Sequence, residues 1–345
     1  MRILQIGVGG FGKNHLKAWT QLGMGRDLRV AEVRRETAMV ECSKYNMRPE
    51  QVSADYRDFL PTADVVDIVT PTDSHYSLCL EALQAGKDVF VEKPMTLTSV
   101  EAEELVKVVR SEKRIIQVGY YYRFHPASRW IKEAIQSGLL GQLRYLSGNF
   151  AGFKRARTDV GVTHTDGIHF LDLFNWFVGR PPGEVWAVTR DHFHRGLEDF
   201  SIVLCTYPNG EITKVESGYI QPGKWMDKVV PSAWTSKEIF IVGSQATLEA
   251  AFETGEVKVH RVRHELRDQI WTAVHEGSHS PCVPTAGPIE QLCEEFQAFL
   301  GSVKTRQEPL ANVMDSGFCL ARLMETIYRS SQLKKAVEVD YRVTP

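Results

Sequence analysis

The chain has 345 residues, of which 43% are hydrophobic and 24% charged, and its formal net charge is −2. This length exceeds what one ordinary hydrophobic core supports and predicts two domains. The near-neutral charge gives no electrostatic reason to expect a nucleic acid or a membrane surface as partner, so it favours a small-molecule ligand.

The six cysteines are scattered, without a C-x-x-C pair or the close His/Cys spacing that zinc requires. The sequence therefore predicts reduced thiols and no metal site. The chain begins with the strand-like MRILQIG rather than with a signal peptide, and it has no long uncharged apolar run. We expect a cytoplasmic protein without a membrane segment.

Strand and helix patterns alternate over residues 1–120. The apolar runs ILQIGV, LRVAEV, DVVDIV, DVFVE and IIQVG are typical of strands, and helical segments lie between them. Thr98 and Glu101 predict a capping box at the start of the last helix. The alternation predicts βαβ units and a parallel sheet with helices on both faces, an α/β domain over residues 1–120.

The pattern changes over residues 121–345. A helical segment at 126–138 precedes a strand-like run at 142–150 and a helix through residue 177. Successive strand-like runs follow over residues 184–262, and two helices lie near the end of the chain. We expect a C-terminal α+β domain with a large, mostly antiparallel open sheet.

Gly7, Gly9 and Gly12 form a G-x-G-x-x-G motif between the first predicted strand and the following helix. One glycine allows the tight turn, one lets the backbone approach a pyrophosphate, and one lets helix and strand pack closely. Gly10 and Phe11 complete the loop at the positive end of the helix. The motif predicts that the first domain binds NAD(P).

The type of cofactor depends on the residues about 20 positions after the glycine motif. Arg34 and Arg35 stand there, and their guanidinium groups suit a 2′-phosphate, so the sequence favours NADP(H). Glu32, on the same alternating face of the predicted strand as Arg34, is a residue type that accepts hydrogen bonds from a ribose 2′-hydroxyl. It keeps NAD(H) as the alternative.

The third and fourth predicted strands end in VTPTDSH and VFVEKP. The carboxyl ends of parallel strands lie at the edge of the sheet where ligands of such domains bind. The residues at these two ends are therefore candidate cofactor contacts: Thr70, Pro71, Thr72, His75, Glu92 and Lys93.

The segment GVTHTDGIHFLD precedes the apolar run of a predicted helix. At 100° per residue, Thr165, Asp166, His169 and Asp172 occupy a polar sector that is separate from the apolar stripe. This separation favours a functional role for His169 over a structural one. A metal site is not expected on this helix, because His164 lies on the opposite side from Asp166.

Tyr121, Tyr122 and Arg123 follow the last strand of the first predicted domain. They are candidates for recognising hydroxyl or anionic groups of a substrate. Ordinary packing between domains is the alternative for the two tyrosines.

In this order, GVGGFGKNH, TPTDSHYSLCLEALQAGKDVFVEKP, VGYYYRFHP, DGIHFLDLFNWFVG and FIVGSQATLEA resemble the glucose-fructose oxidoreductase and inositol dehydrogenase family (Gfo/Idh/MocA) over essentially the whole chain. The resemblance implies an N-terminal Rossmann domain and a C-terminal domain whose sheet forms the interface of homodimers or homotetramers. It also implies hydride transfer between a nicotinamide and a secondary alcohol or ketone of a sugar, cyclitol or related polyol.

Residue by residue, the resemblance implies that Lys93 is the catalytic lysine and that His169 relays a proton. Members of the family commonly carry an aspartate four residues before this histidine, where the present chain has Thr165; its aspartate, Asp166, is three residues before. We take Asp166 as the third candidate catalytic residue, and either Asp166 or Thr165 is the partner of His169. Thr165, Asp166 and His169 are also candidate substrate contacts.

Two other functions are compatible with the same fold. The first is a redox-cycling, NAD-dependent glycosidase or epimerase, and the second is a non-catalytic NAD(P)-binding regulatory protein. The presence of Lys93 and His169 argues against the regulatory protein, because binding a dinucleotide requires neither residue.

Overall fold

The computed structural model describes residues 1–230 and 232–343; residues 231, 344 and 345 lie outside the described residues. The chain forms two compact units. The first comprises Met1–Phe124, Gly287–Arg322 and the chain from Tyr341, and the second comprises His125–Ala286 and Leu323–Asp340.

The first unit is built on a parallel sheet. Its strands are β1 (Ile3–Ile6), β2 (Leu28–Ala31), β3 (Val52–Ser53), β4 (Val65–Ile68), β5 (Asp88–Glu92) and β6 (Ile116–Gly119). They lie in the order β3-β2-β1-β4-β5-β6, and every pair is parallel. This is the strand order of dinucleotide-binding Rossmann domains. The predicted parallel sheet is confirmed, with the short β3 as an additional edge strand.

The described α-helices are α1 (Gly12–Gln21), α2 (Arg35–Ser43), α3 (His75–Gln84), α4 (Ser99–Glu112), α5 (Pro126–Gln136), α6 (Ile168–Val178), α7 (Pro288–Thr305) and α8 (Cys319–Leu333). The predicted capping box at the start of α4 is present, because Thr98 and Glu101 exchange backbone-to-side-chain hydrogen bonds. Within the described residues, no helix combines the length and the apolar character that crossing a bilayer requires.

Residues 287–322, which the sequence assigns to the second domain, cluster with the first unit. The reason is aromatic packing between α7 and the face of α1. The ring of Phe296 stacks on Trp19 with 4.0 Å between centroids, and it meets the edge of Phe90 at 5.0 Å. Phe296 and Trp19 are fully buried, so this part of the chain completes the core of the first unit.

The second unit contains a large mixed sheet. Its strands are β7 (Leu143–Ala151), β8 (Glu184–Arg190), β9 (Phe200–Thr206), β10 (Ile212–Gly218), β11 (Trp225–Met226), β12 (Trp234–Gly243), β13 (Thr247–Ala251), β14 (Glu256–Arg267), β15 (Ile270–His279) and β16 (Val337–Glu338). The main path runs β15-β14-β13-β12-β7-β10-β9-β8-β16. Among the described strands of this second sheet, only the β7/β10 pair is parallel, so the predicted mostly antiparallel sheet is confirmed.

Helix α6 packs against the middle of this sheet. Phe170 and Phe174 lie over Gly148 of β7, where a Cβ atom would approach the ring of Phe170 to 2.6 Å. Every residue of α6 except Trp176 is buried. Of the predicted polar sector, Asp166, His169 and Asp172 are buried and Thr165 is half-buried.

A charged cluster lies inside the first unit, where α1 covers β4 and β5. Both carboxylate oxygens of Asp67 lie 3.0 Å from His15 Nδ1, and Glu92 Oε1 lies 3.2 Å from His15 Nε2. Trp19 also donates to Asp67, at 2.7 Å. A carboxylate only accepts, so the imidazole satisfies both acids by carrying two protons. Burial alone lowers the pKa of His15, but the charges and hydrogen bonds of Asp67 and Glu92 outweigh it and raise the pKa to about 10.

We expect His15→Gln to destabilise the protein by about 3 kcal/mol or more at pH 7, because the substitution leaves two buried carboxylates without their cation. The folded-state pKa of His15 is raised from 6.5 to about 10, so its contribution is fully present below pH 6.5 and is lost as the pH rises through about 10. Denaturant unfolding followed by tryptophan fluorescence should show the difference between wild type and variant shrinking over this alkaline range.

The control for this prediction is His260→Gln in the second unit, where His260 pairs with the exposed Glu249. This variant should change the free energy of unfolding by less than about 1 kcal/mol. A difference between wild type and His15→Gln that stays constant from neutral to alkaline pH would contradict a buried imidazolium.

Candidate active site

The glycine motif forms the turn between β1 and α1. At Gly7 the backbone has a φ of +102°, and a Cβ atom would lie 2.7 Å from the carbonyl oxygen of Val69. At Gly12 a Cβ atom would lie 2.6 Å from the carbonyl oxygen of Gly7. Gly9 and Gly10 are exposed, and a Cβ atom there would have no neighbour within 4 Å. Packing therefore requires two of the glycines, and the other two leave open backbone at a helix N-terminus, which fits a pyrophosphate.

Glu32 faces the glycine loop from the end of β2. Its Oε2 accepts from the backbone N–H of Val8 at 3.0 Å, and its Oε1 accepts from the backbone N–H of Arg34 at 3.2 Å. Glu32 thus follows the strand instead of lying inside it, and Arg34 caps α2 rather than ending the strand. The strand is shorter than predicted because these two hydrogen bonds turn the chain directly into α2.

The two arginines at the start of α2 differ in their partners. Both residues are exposed. Arg35 donates from Nε to the carbonyl oxygen of Val52 at 3.0 Å and from Nη2 to that of Pro49 at 3.2 Å. Its guanidinium group therefore braces the neighbouring backbone, which leaves Arg34 as the better placed of the two for a phosphate.

The loops after β4 and β5 are joined by His75. Its Nδ1 lies 2.9 Å from the carbonyl oxygen of Pro94, and its Nε2 lies 3.0 Å from that of Thr70. Thr70 also shares a hydrogen bond of 2.7 Å with Ser74. Thr72 is buried and Pro71 is exposed. Three of the candidate cofactor contacts, His75, Thr70 and Thr72, thus also form the local framework of this loop.

Lys93 lies directly after β5, at the same edge of the sheet as the glycine loop. Its backbone N–H donates to Oε2 of Glu92 at 3.2 Å, and the Lys93–Pro94 peptide bond is cis. Lys93 itself is half-buried. Because Glu92 also binds His15, the buried charge cluster is connected to the backbone that carries the lysine.

Tyr121, Tyr122 and Arg123 lie on a 3-10 turn after β6, and all three are buried. The rings of Tyr121 and Tyr122 are 4.5 Å apart, and Tyr121 is 6.1 Å from Phe11 of the glycine loop. Arg123 donates to the carbonyl oxygen of Leu310. Tyr121 is thus the member of this group that lies beside the predicted cofactor loop.

In the second unit, a π-helical turn over Thr163–Gly167 leads into α6. This wider turn does not have the 100° spacing per residue that the helical wheel assumes. The angular positions predicted for Thr165 and Asp166, which precede Gly167, therefore do not hold. His169 lies on the first turn of α6 and its ring stacks on Phe150, with 5.7 Å between centroids. His169 and Asp172 are both buried.

Asp166 and Thr165 have different partners in this turn. The hydroxyl of Thr165 donates to the carbonyl oxygen of Gly161 at 2.9 Å. Asp166 accepts from Lys154 Nζ at 2.7 Å, and the side chains of both are buried. Lys154 Nζ also lies 5.2 Å from the centre of the Phe150 ring. Lys154 and His169 therefore contact the same ring, and Lys154 connects Asp166 to it.

Lys154 was not among the residues predicted from the sequence. It follows β7 in the segment AGFKRAR, where a lysine next to two arginines is typical of a solvated surface. The sequence also does not predict a second group at this turn. His164 Nδ1 donates to the Tyr328 hydroxyl at 2.8 Å, and Tyr328 donates to Glu198 at 2.8 Å. Only the fold brings these distant positions together.

His164, Asp166 and His169 do not converge on one point, since each has its own partner described above. Among residues 1–230 and 232–343, no three or more His, Cys, Asp or Glu side chains are arranged to hold a metal ion.

Two protein-family models match the chain. Residues 1–120 match the oxidoreductase family with an NAD-binding Rossmann fold, and residues 128–249 match the GFO/IDH/MocA C-terminal domain. Together these models match a part of each folded unit and most of the chain.

Curated relatives are similar to part of the chain. Inositol 2-dehydrogenase of Burkholderia cenocepacia is 30% identical over 230 residues, which is 63% of this chain and 66% of the relative. UDP-N-acetylglucosamine 3-dehydrogenase of Acidithiobacillus ferrooxidans is 32% identical over 192 residues, 54% of this chain and 58% of the relative. The match thus spans slightly less than two thirds of the length of these relatives.

A solved structure of levoglucosan dehydrogenase in complex with NADH has the same fold. It superposes with a TM-score of 0.83 at 20% identity and covers 99% of both chains. Likeness at this identity concerns the fold, whereas the two family models identify the sequence. The chain belongs to the GFO/IDH/MocA family of oxidoreductases with an NAD-binding Rossmann fold.

Proposed function

We propose that the protein is an NAD(P)-dependent dehydrogenase or reductase. It transfers a hydride between the nicotinamide and a secondary alcohol, or the matching ketone, of a sugar, cyclitol or related polyol. The observation that carries the proposal is the presence of Lys93 at the edge of a sheet whose glycine loop fits a dinucleotide. The relatives named as inositol and UDP-N-acetylglucosamine dehydrogenases support the substrate class.

A bound nicotinamide dinucleotide would supply the hydride acceptor or donor. The open backbone at Gly9 and Gly10, with the N-terminus of α1, would hold the pyrophosphate. Tyr121, beside Phe11 of the same loop, would line the cofactor site, and Thr70 and Thr72 would present their loop to it.

Oxidation of a secondary alcohol removes a hydride from carbon and a proton from the hydroxyl group. We assign the stabilisation of negative charge on the reacting oxygen to the ammonium group of Lys93. His169 would accept the hydroxyl proton, and in the reverse direction return it. General acid–base catalysis of this kind contributes roughly 10²- to 10⁴-fold to a rate.

Asp166, rather than Thr165, is the acidic partner in this proposal. The hydroxyl of Thr165 donates to the carbonyl oxygen of Gly161, whereas the carboxylate of Asp166 pairs with Lys154, which contacts the same phenylalanine ring as His169. Asp166 would stabilise the imidazolium that forms when His169 takes a proton, because an opposite charge nearby favours the charged form.

The choice of cofactor depends on Glu32 and Arg34. The sequence favours NADP(H) through Arg34, but the carboxylate of Glu32 lies at the glycine loop, bonded to Val8, where it would repel a 2′-phosphate and accept from a 2′-hydroxyl. We therefore propose that the protein prefers NAD(H). Arg34 would supply residual affinity for NADP(H).

We also propose a homodimer or homotetramer formed through the sheet of the second unit. Large apolar side chains are exposed on three strands of this sheet, at Trp186 on β8, Ile212 on β10 and Phe240 on β12. Each has a buried neighbour along its strand, so the exposed positions alternate with buried ones. Exposed apolar groups on one sheet are typical of protein interfaces. The cytoplasmic location expected from the sequence stays a prediction.

Lys93→Met should lower kcat by about 10²-fold or more and leave NADH affinity within about threefold, because it removes the charge opposite the reacting oxygen and spares the glycine loop. The measurement is nicotinamide absorbance with a panel of sugars and cyclitols, beside NADH titration by fluorescence. Lys224→Met, at an exposed ion pair with Glu238, is the matched control. A near-native rate in Lys93→Met would contradict the role of Lys93.

Cofactor preference is tested by comparing kcat/KM for NAD⁺ and NADP⁺. We expect the wild type to prefer NAD⁺ by about tenfold or more, and Glu32→Gln to reduce that preference because the repulsive charge is gone. Arg34→Asp should lower kcat/KM with NADP⁺ more than with NAD⁺. A wild type that prefers NADP⁺, and loses this preference in Arg34→Asp, would show that Arg34 determines the choice instead.

Assembly is tested by light scattering coupled to gel filtration. One chain has a mass of 39.0 kDa, so a dimer or tetramer should give two or four times that value. Phe240→Lys should shift the mass towards a single chain, because it places a charge in the apolar contact. A wild-type mass equal to one chain over the micromolar range would rule out the proposed assembly.

A further inference from the structure

Two buried lysines of the second unit contact the same aromatic ring. Lys154 Nζ lies 5.2 Å and Lys237 Nζ 5.3 Å from the centre of the Phe150 ring. His169 stacks on this ring as well. Both lysine side chains are less than a tenth exposed, so each ammonium group needs acceptors from its immediate surroundings.

The two lysines differ in how many acceptors they have. Lys237 is bonded to two carboxylates, Asp227 at 2.9 Å and Glu253. Lys154 is bonded to Asp166 alone, and the described residues supply no second acceptor for it. An ammonium group carries three N–H donors, so Lys154 retains donors for another partner.

Asp166 has a corresponding spare acceptor. Its Oδ1 binds Lys154, while its Oδ2 is buried and accepts no hydrogen bond from residues 1–230 or 232–343. Buried polar atoms without a partner are rare in folded proteins because leaving one unpaired is costly. The ion pair thus combines a free donor and a free acceptor at one place in the interior.

Tyr219 borders the same place. Lys154 Nζ lies 5.9 Å from the centre of its ring. Burial, followed by the negative charge of Asp166, raises the pKa of Tyr219 well above its usual value. The phenol therefore stays protonated at neutral pH and offers a further neutral donor group rather than a second negative charge.

We propose that Lys154 and Asp166 form a substrate subsite for one neutral hydroxyl group of the polyol. The hydroxyl oxygen accepts from Lys154 Nζ, and the hydroxyl hydrogen is donated to Asp166 Oδ2. A hydroxyl matches this pair because it accepts and donates at a single atom. A carboxylate or phosphate does not, because Asp166 would repel it. The subsite rests on the proposed function and selects neutral polyols over anionic sugars.

The first test needs no variant. Protein saturated with NADH is titrated by calorimetry with myo-inositol, D-glucose and each of their monodeoxy derivatives. One monodeoxy isomer should bind roughly 10- to 100-fold more weakly than its parent, because loss of that hydroxyl leaves an N–H of Lys154 and Oδ2 of Asp166 without a hydrogen-bond partner. Equal binding of every deoxy isomer and its parent would overturn the subsite.

Variants then connect this selectivity to the two residues. The double variant Lys154→Met/Asp166→Asn leaves no lone buried charge of the kind that either single substitution would create. In the double variant, affinity for the parent should fall to that of the sensitive deoxy isomer, within about threefold. Lys224→Met, the exposed control, should keep the wild-type ratio. A double variant that keeps this ratio would also overturn the subsite.

The outcomes separate the subsite from the proposed function. Selective binding without any nicotinamide reduction on the panel would support the subsite and contradict the dehydrogenase. Reduction of NAD⁺ by a polyol whose deoxy isomers bind as tightly as the polyol itself would support the dehydrogenase and contradict the subsite. A wild type that neither binds nor oxidises any member of the panel would overturn both.

Discussion

The charge of His15 ties together three elements at the centre of the first unit. Helix α1 supplies the imidazole, β4 supplies Asp67 and the end of β5 supplies Glu92. Because all three groups are buried, removing the imidazolium of His15 would leave two carboxylates in the interior without a cation. The same α1 starts at the glycine loop, and Glu92 accepts from the backbone N–H of Lys93, so this one interaction connects the glycine loop with the candidate catalytic lysine.

The second unit has a comparable centre at Phe150. His169, Lys154 and Lys237 all contact its ring, and Asp166 neutralises Lys154. An aromatic ring among cations stabilises them through its negative face without consuming their N–H donors. This leaves Lys154 and Asp166 able to bind a ligand. The arrangement differs from the spacing common in the family, because the acid stands three residues before the histidine and has a lysine of its own.

Most of the fold is predictable from the sequence. The glycine motif, the five main strands of the first sheet and the capping box at Thr98 follow from local patterns of apolar residues and turn formers. Strand β15 was not predicted, because IWTAVHEGSH is mostly exposed and contains Gly277, so it lacks the alternation of a half-buried strand. The association of α7 with the first unit depends on a contact between Phe296 and Trp19, which are far apart in the chain.

The candidate site is only partly predictable from the sequence, because local backbone geometry and contacts between distant residues determine which side chains meet. Lys93 and His169 belong to motifs, so the sequence alone makes them candidates. The π-helical turn at Thr163–Gly167 changes the angular positions that a regular helix would give, and hydrogen bonding then distinguishes Asp166 from Thr165. Glu32 and Arg34 are both visible in the sequence, but which of them faces the glycine loop depends on the length of β2. Lys154 becomes a candidate only through its pairing with Asp166.

The central claim is that the protein moves a hydride from a polyol carbon to a nicotinamide. The most direct measurement is the incubation of the protein with NAD⁺ and a sugar or cyclitol deuterated at every carbon, followed by mass spectrometry of the reduced cofactor. Hydride transfer predicts that each molecule of product cofactor carries one deuterium, with a ketone formed in equal amount. Reduced cofactor without deuterium, or a cofactor that stays oxidised across the whole panel, would contradict the claim.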